Sequence, residues 1–279
     1  MCCIGLSVTC QAIFFVDGDA DGDYGGDDAS VCTFVYVCVE YRSNQLSSLP
    51  HQIAMLTNLE ELEIQENRFA VATKDIPGLG LMGMIKYFQA CAMSQFTKKI
   101  NLNVMGITEI PKDILGYSVL TNISIMGNRL TALPDEFGQQ LTNLQKVNLR
   151  ANQLTMIPES FTKLSNSIEF LDLSYNQFSF FPAPVCELKK VTFLDFSNNK
   201  LTTVNDAIGA MLELEHLRLD NNQLKTLTTG FGRLPVLTTL NLRYNKLNDL
   251  KGALNGATTL TNLDMRDNNI IKVPPEFGG

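Results

Sequence analysis

The sequence LQKVNLRANQLTMIP, residues 144–158, follows the frame L-x-x-L-x-L-x-x-N-x-L. Val147 and Leu149 alternate with polar neighbours, which is the period of a β-strand with one buried face. Asn152 follows at the point where the chain turns. Its amide can donate and accept hydrogen bonds, and a buried backbone group left unpaired there would cost about 1–3 kcal/mol. One such unit cannot bury its own apolar face, so copies of it must stack.

The frame recurs along the chain. Its Asn is found at Asn44, Asn67, Asn128, Asn152, Asn176, Asn199, Asn222, Asn245 and Asn268. From Asn128 onward the spacings are 24, 24, 23, 23, 23 and 23 residues. A copy with Met105 in place of Asn lies between Asn67 and Asn128, which makes ten units. The pattern predicts an α/β solenoid, a leucine-rich repeat horseshoe of about ten 23–24-residue repeats with a parallel β-sheet on the concave face.

Composition limits the chemistry available to the chain. The formal net charge is −7, and six of the acids lie between residues 17 and 28, so the remainder is near −1 and offers no basic field for nucleic acid. There is no Trp, and His51 and His216 are the two histidines. Five of the seven cysteines precede residue 39, without the paired caps of extracellular repeat proteins. This distribution favours a reducing compartment and a cytoplasmic protein.

The repeat pattern divides the chain into four parts. Residues 1–33 are not repeat, and we expect a disordered acidic segment. Residues 34–69 form a first leucine-rich repeat segment, 70–96 an insert, and 97–279 a second array. Within the insert, the mostly apolar stretch 81–93 predicts a helix with Lys86 and Gln89 on its wet side. We expect this helix to fill the gap between the two arrays rather than to carry function.

The N-terminal segment admits three readings besides simple disorder. Cys2 and Cys3 could be acylated, which is the one route by which we expect membrane association. A secretory signal is disfavoured, since no basic region precedes the apolar stretch. The acidic run matches part of a calcium-loop template, but it lacks the final Glu and the following helix. The weak metal candidates are Asp17, Asp19, Asp21, Asp23 and Asp28.

The outward strand positions of the second array are the expected place for function. Phe170, Phe193 and His216 share one frame position in consecutive repeats, so they should lie side by side. Asp172, Asp195 and Arg218 form the next column. Exposed aromatic and arginine residues are typical anchors of protein interfaces. We therefore predict a partner-binding site made of Arg150, Phe170, Tyr175, Phe193, His216, Arg218, Arg243 and Tyr244.

Two simpler interpretations compete with a partner site. The columns could satisfy one another, Asp195 with Arg218 and the aromatic rings by stacking. The Phe residues on the backs of the repeats, such as Phe137, Phe161 and Phe231, are expected to pack a spine and not to bind ligand. A catalytic triad of His216, Asp195 and a strand serine is disfavoured, because no oxyanion hole is evident. We predict no enzyme activity, no cofactor and no metal beyond the weak calcium candidate.

Units such as Leu120 to Leu141 and Leu144 to Leu164 extend the frame to L-x-x-L-x-L-x-x-N-x-L-x-x-L-P-x-x-I/F-x-x-L. This form resembles intracellular leucine-rich repeat proteins: Ras-binding scaffolds, adenylate cyclases of the fungal type and Roco-type kinases. The repeats at Val204, Leu227 and Leu250 lack the Pro. The resemblance implies a scaffold in signal transduction that binds a protein, such as a small GTPase or a phosphatase subunit.

Two other functions compete with an intracellular scaffold. The chain could be the ectodomain of a secreted or cell-surface recognition receptor, which N-terminal cleavage, disulfides and a glycan at Asn122 would indicate. It could also be the repeat portion of a larger signalling enzyme, such as a kinase or a cyclase. No motif in the sequence selects the partner.

Overall fold

The repeats form an open, all-parallel sheet. The structure is a computed structural model that describes residues 37–40, 59–63 and 80–272, with side chains from residue 83. In the largest described range eight strands pair in chain order. They are β3 (Lys99–Asn101), β4 (Asn122–Ser124), β5 (Lys146–Asn148), β6 (Phe170–Asp172), β7 (Phe193–Asp195), β8 (His216–Arg218), β9 (Thr239–Asn241) and β10 (Asn262–Asp264).

Short helical segments follow the strands and lie on the other side of the core. The α-helical ones are α2 (Lys112–Leu115), α3 (Asp135–Gln140) and α4 (Ala183–Cys186). The 3₁₀ ones are Glu159–Leu164, Asp206–Ala210 and Thr229–Arg233. Five of these six begin after Pro or Asn, whose fixed φ or side-chain cap suits a helix start. The predicted leucine-rich repeat solenoid with a parallel β-sheet is confirmed.

Two earlier strands belong to the first repeat segment. Strands β1 (Val37–Glu40) and β2 (Leu59–Glu63) pair in parallel and form a sheet of their own. The predictions for residues 1–33, which include the calcium-loop candidates and Cys2 and Cys3, lie outside the described residues. So do the ladder positions Asn44 and Asn67.

An asparagine ladder closes the turns after the strands. The Nδ2 of Asn152 donates to the carbonyls of Ile125 (2.9 Å), Leu149 (3.0 Å) and Arg150 (3.3 Å). Its Oδ1 accepts from the backbone N–H of Leu130 at 3.1 Å. The same set recurs at Asn176, Asn199, Asn222 and Asn245, and all are buried. The predicted role of the Asn side chain in pairing buried backbone groups is confirmed.

The core is a single apolar stack between the sheet and the helical segments. The inward strand leucines are fully buried, as are the residues on the backs of the repeats. Phe137 and Phe161 stack there with ring centroids 5.9 Å apart. The prediction that these Phe residues pack the spine is confirmed.

The insert contains α1 (Gly80–Thr97), which packs against β3. Its residues Ile85, Tyr87, Phe88 and Cys91 are buried and join the core of the array. The helix runs four residues beyond the expected 81–93. In the added residues, Ser94 Oγ and Thr97 Oγ1 each donate to a carbonyl of the preceding turn, at 2.7 and 2.9 Å, so both hydroxyl groups have partners within the helix.

Candidate protein-binding face

The predicted aromatic column exists as a stacked row. Phe170 pairs in register with Phe193, and Phe193 with His216. The two Phe rings stack with centroids 4.7 Å apart and an interplanar angle of 7°. The His216 ring lies 6.4 Å from that of Phe193, tilted by 56°. All three side chains are half-buried, so the row keeps an accessible edge on the face of the sheet that points away from the core.

The neighbouring column contains two buried carboxylates. Asp172 is 9% exposed and Asp195 is 2% exposed, and the two are register partners on β6 and β7. Asp172 Oδ1 accepts from the backbone N–H of Ser174 at 2.9 Å and from its hydroxyl at 2.6 Å. Burial raises the pKa of Asp172, and the bonds from Ser174 offset only part of that rise.

Arg218 lies between two carboxylates. Its Nη1 is 3.5 Å from Asp195 Oδ2, and its Nε is 3.4 Å from Asp220 Oδ1. Both distances are long for a charge-assisted hydrogen bond, which favours about 2.7–2.9 Å. Burial also raises the pKa of Asp220. The expected pairing of Asp195 with Arg218 is therefore present but loose.

Two arginine–tyrosine pairs lie among the predicted site residues. Arg150 lies over the Tyr175 ring at 4.1 Å, and Arg243 lies over the Tyr244 ring at 4.4 Å. These are two separate cation–π pairs on opposite sides of the aromatic row, since the tyrosines belong to repeats three units apart.

Each pair is held by further hydrogen bonds. Arg150 Nη1 donates to Ser174 Oγ at 3.0 Å. Arg243 Nε donates to Asp267 Oδ2 at 2.8 Å, and its Nη2 donates to the Tyr244 hydroxyl at 2.8 Å. Both tyrosines remain about half exposed, at 47% and 48%. The pairs thus present fixed aromatic and cationic surface to solvent.

Backbone geometry sets the direction of the tyrosine side chains. The residue directly before each ladder Asn from Asn128 to Asn268 has a positive φ, including Tyr175 at 55° and Tyr244 at 54°. A left-handed conformation is costly for a residue with a Cβ. Glycine occupies this frame position in one repeat, Gly127, with a φ of 68°. The tyrosines therefore stand at a turn that the neighbouring ladder bonds maintain.

The triad interpretation gains no geometric support. Among the described residues, no hydrogen bond joins His216 to Asp195 or to Ser174 and Ser197. The Ser174 hydroxyl donates to Asp172, so it is not activated by a histidine. No group of three or more potential metal ligands occurs in the part of the chain that the structure describes.

The prediction missed part of the site. It described Asp172 and Asp195 as the column beside the aromatic row but did not include either of them among the site residues. The signal was available, because LDLS at 171–174 and LDFS at 194–197 repeat an Asp followed two residues later by Ser. That spacing places both side chains on one face of a strand.

The parallel sheet and the asparagine ladder define the class: the chain is a leucine-rich repeat protein. The sequence profile described as "Leucine rich repeat" matches residues 118–178 and 213–270. The solved structure of a leucine-rich repeat protein of Leptospira interrogans is similar, with a TM-score of 0.58 and 29% identity. That likeness covers 84% of this chain and 50% of the Leptospira chain, so this chain spans about half of that structure.

A comparison with curated proteins finds no match. Among solved structures 358 chains match, so the fold by itself selects no partner. Leucine-rich repeat domains generally mediate protein–protein interaction. None of the helices in the described ranges is long and apolar enough to cross a membrane.

Proposed function

We propose that the chain is a non-enzymatic scaffold that binds a protein partner on the concave face of its sheet, centred on strands β6 to β8. The observation that carries this proposal is the half-exposed row of Phe170, Phe193 and His216 between two arginine–tyrosine pairs. Aromatic and arginine side chains are enriched in the energetic centres of protein interfaces. Two adjacent Phe residues on a solvated strand face contribute little to the stability of the fold.

Contacts among these side chains bury part of this surface, and the rest remains accessible to a partner. The Phe rings stack on each other, and the arginines contact the tyrosines. Each of these contacts supports a side chain that keeps part of its surface accessible. Fixed side chains lose little entropy when a partner binds, which favours affinity. This arrangement suits an interface that is formed before the partner arrives.

The wider setting is also part of the proposal. We place the protein in intracellular signal transduction in the cytoplasm, with a small GTPase or a phosphatase subunit as the first partners to test. The resemblance to Ras-binding scaffolds motivates these candidates. Cys91 and Cys186, the free cysteines of the described part, are buried, and burial raises the pKa of each thiol to about 12. Such thiols stay protonated and unreactive at neutral pH.

Affinity capture tests the proposal. The tagged full chain and the double variant Phe170→Ala with Phe193→Ala are used to capture proteins from the native cell. We expect the double variant to lose the main partner and to keep its far-UV circular dichroism. Loss of two interface anchors of this type typically costs about 2 kcal/mol or more each.

A matched control comes from outside the sheet. Met156 and Phe180 are exposed to 54% and 52% and follow the ladder Asn by four residues in adjacent repeats. The double variant Met156→Ala with Phe180→Ala removes more exposed apolar surface than the Phe170 and Phe193 variant does. It should capture the partner as well as the wild-type chain does. Equal capture by the Phe170 and Phe193 variant would refute the proposed site.

A further inference from the structure

The carboxylates on the concave face outnumber the cations that they contact. Asp172, Asp195 and Asp220 lie around Arg218, which approaches the latter two at 3.5 and 3.4 Å. Asp172 Oδ1 accepts hydrogen bonds from Ser174, whereas among the described residues no group donates to its Oδ2. Arg150, the next cation, contacts Ser174 and the Tyr175 ring instead. The cluster therefore has an excess of negative charge in a partly desolvated place.

An unpaired hydroxyl lies in the same cluster. Ser197 is 1% exposed, and its Oγ has no hydrogen-bond partner. Ser197 occupies the frame position of Ser174, whose hydroxyl faces Asp172 on the sheet face. The backbone N–H of Ser197 donates to Asp195 Oδ1 at 2.8 Å, which holds that carboxylate beside the hydroxyl. A buried polar atom without a partner costs about 1–3 kcal/mol and indicates a missing hydrogen-bonding group.

An aromatic surface borders the carboxylates. The Phe170 and Phe193 rings lie two residues before Asp172 and Asp195 on the same strands. That spacing is about 7 Å along a strand, with the side chains on one face. The stacked rings present their edges, so the methylene stem of a long cationic side chain can pack against them while its N–H groups reach the carboxylates.

We propose that this place accepts an arginine side chain of the protein partner, with its guanidinium between Asp172 and Asp195 and its methylene stem against the Phe170–Phe193 rings. This inference rests on the proposed function and specifies the partner's chemistry. Arginine fits better than lysine, because its guanidinium is planar and pairs with carboxylates through two N–H groups.

Titration with a small probe tests the inference on the full chain. N-acetyl-arginine amide is added to millimolar concentration while amide chemical shifts are followed by NMR. We expect saturable shifts at Ser174 and Ser197. N-acetyl-citrulline amide, which has the same shape without the charge, should produce no saturable shift. Equal shifts with both probes, or none with either, would overturn the inference.

Two variants test whether Asp172 and Asp195 bind the arginine probe. Asp172→Asn with Asp195→Asn keeps the shape and one acceptor oxygen of each side chain but removes both charges. It should weaken binding of the arginine probe about tenfold, a loss of about 1.4 kcal/mol. Asp264→Asn is the matched control, since Asp264 lies on β10 and pairs with Arg266 at 2.7 Å. It should leave probe binding unchanged. Unchanged binding in the first variant would contradict the assignment.

The same variants separate this inference from the proposed function. If the Asp172 and Asp195 variant captures the partner fully while the Phe170 and Phe193 variant does not, the concave site stands and the arginine assignment fails. If both variants capture the partner fully, the proposed site itself is wrong.

Discussion

At the residue scale, each ladder asparagine serves two consecutive repeats. Asn176 donates to the carbonyls of Leu149, Leu173 and Ser174 and accepts from the N–H of Leu154. Its removal leaves several buried backbone groups without partners, which is far more costly than the loss of one exchanged hydrogen bond. The ladder therefore stabilises the turn from which Tyr175 projects.

This gives a first prediction. Asn176→Ala should lower the free energy of unfolding by about 3 kcal/mol, measured by urea denaturation. Gln177→Ala is the control, because Gln177 is the exposed next residue, and it should change stability by less than about 0.5 kcal/mol. Similar losses for the two variants would show that the ladder bonds do not carry the stability of the turn.

Asp172 gives a second prediction with a definite pH dependence. A carboxyl group whose pKa is higher in the folded state binds its proton more tightly there. Its contribution to stability is present below the unfolded-state pKa and is lost as pH rises through the folded-state pKa. Because burial raises the pKa of Asp172, its ionisation destabilises the folded protein at neutral pH.

Asp172→Asn should therefore raise the midpoint of thermal unfolding at neutral pH by about 2 °C. The gain should shrink as pH falls toward the acid range, where the wild-type carboxyl is protonated. Calorimetry across this range measures it. A variant that is less stable than the wild type at neutral pH would contradict the account of Asp172.

The placement of some of these side chains could be predicted from the sequence, and the placement of others could not. A strict repeat fixes which residues share a frame position, so the row of Phe170, Phe193 and His216 was predictable from spacing. The arginine–tyrosine pairs were not, because they depend on the left-handed backbone at Tyr175 and Tyr244. A frame position does not reveal which neighbour a long side chain reaches.

At the element scale, α1 covers the first strand of the eight-stranded sheet. The Tyr87 hydroxyl donates to the Asp113 carboxylate on α2 at 2.8 Å, while the ring is buried. Burial raises the pKa of Tyr87, and the Asp113 carboxylate raises it further, so the phenol stays protonated and remains a donor. This bond joins the insert to the repeat array.

A double-mutant cycle tests that connection. Tyr87→Phe, Asp113→Asn and the double variant are compared by urea denaturation. We expect a coupling energy of about 1.5 kcal/mol, as for a hydrogen bond to a charged group. A coupling energy near zero would mean that apolar packing alone holds α1 in place.

The helix illustrates what an apolar run can and cannot specify. Its existence followed from the composition of residues 81–93. Its end did not, because residues 94–97, SQFT, lie outside the apolar run. The chain then leaves the helix at Lys98, which has a φ of 57° and whose N–H donates to the Ser94 carbonyl at 2.8 Å.

At the scale of the whole molecule, regular stacking converts a sequence period into a continuous surface. Successive strands pair in register from β3 to β10, so each frame position becomes a row across the sheet. Most rows are polar. The aromatic row with its carboxylates and flanking arginine–tyrosine pairs is distinguished by composition and by incomplete internal pairing, which is why we assign binding to it.

Hydroxyl-radical footprinting of the chain with and without its captured partner tests this central assignment most directly. The account predicts that Phe170, Tyr175 and Phe193 are oxidised in the free chain and protected in the complex, while Met156 and Phe180 are oxidised equally in both. Protection of Met156 and Phe180, with Phe170 and Phe193 still oxidised, would contradict it.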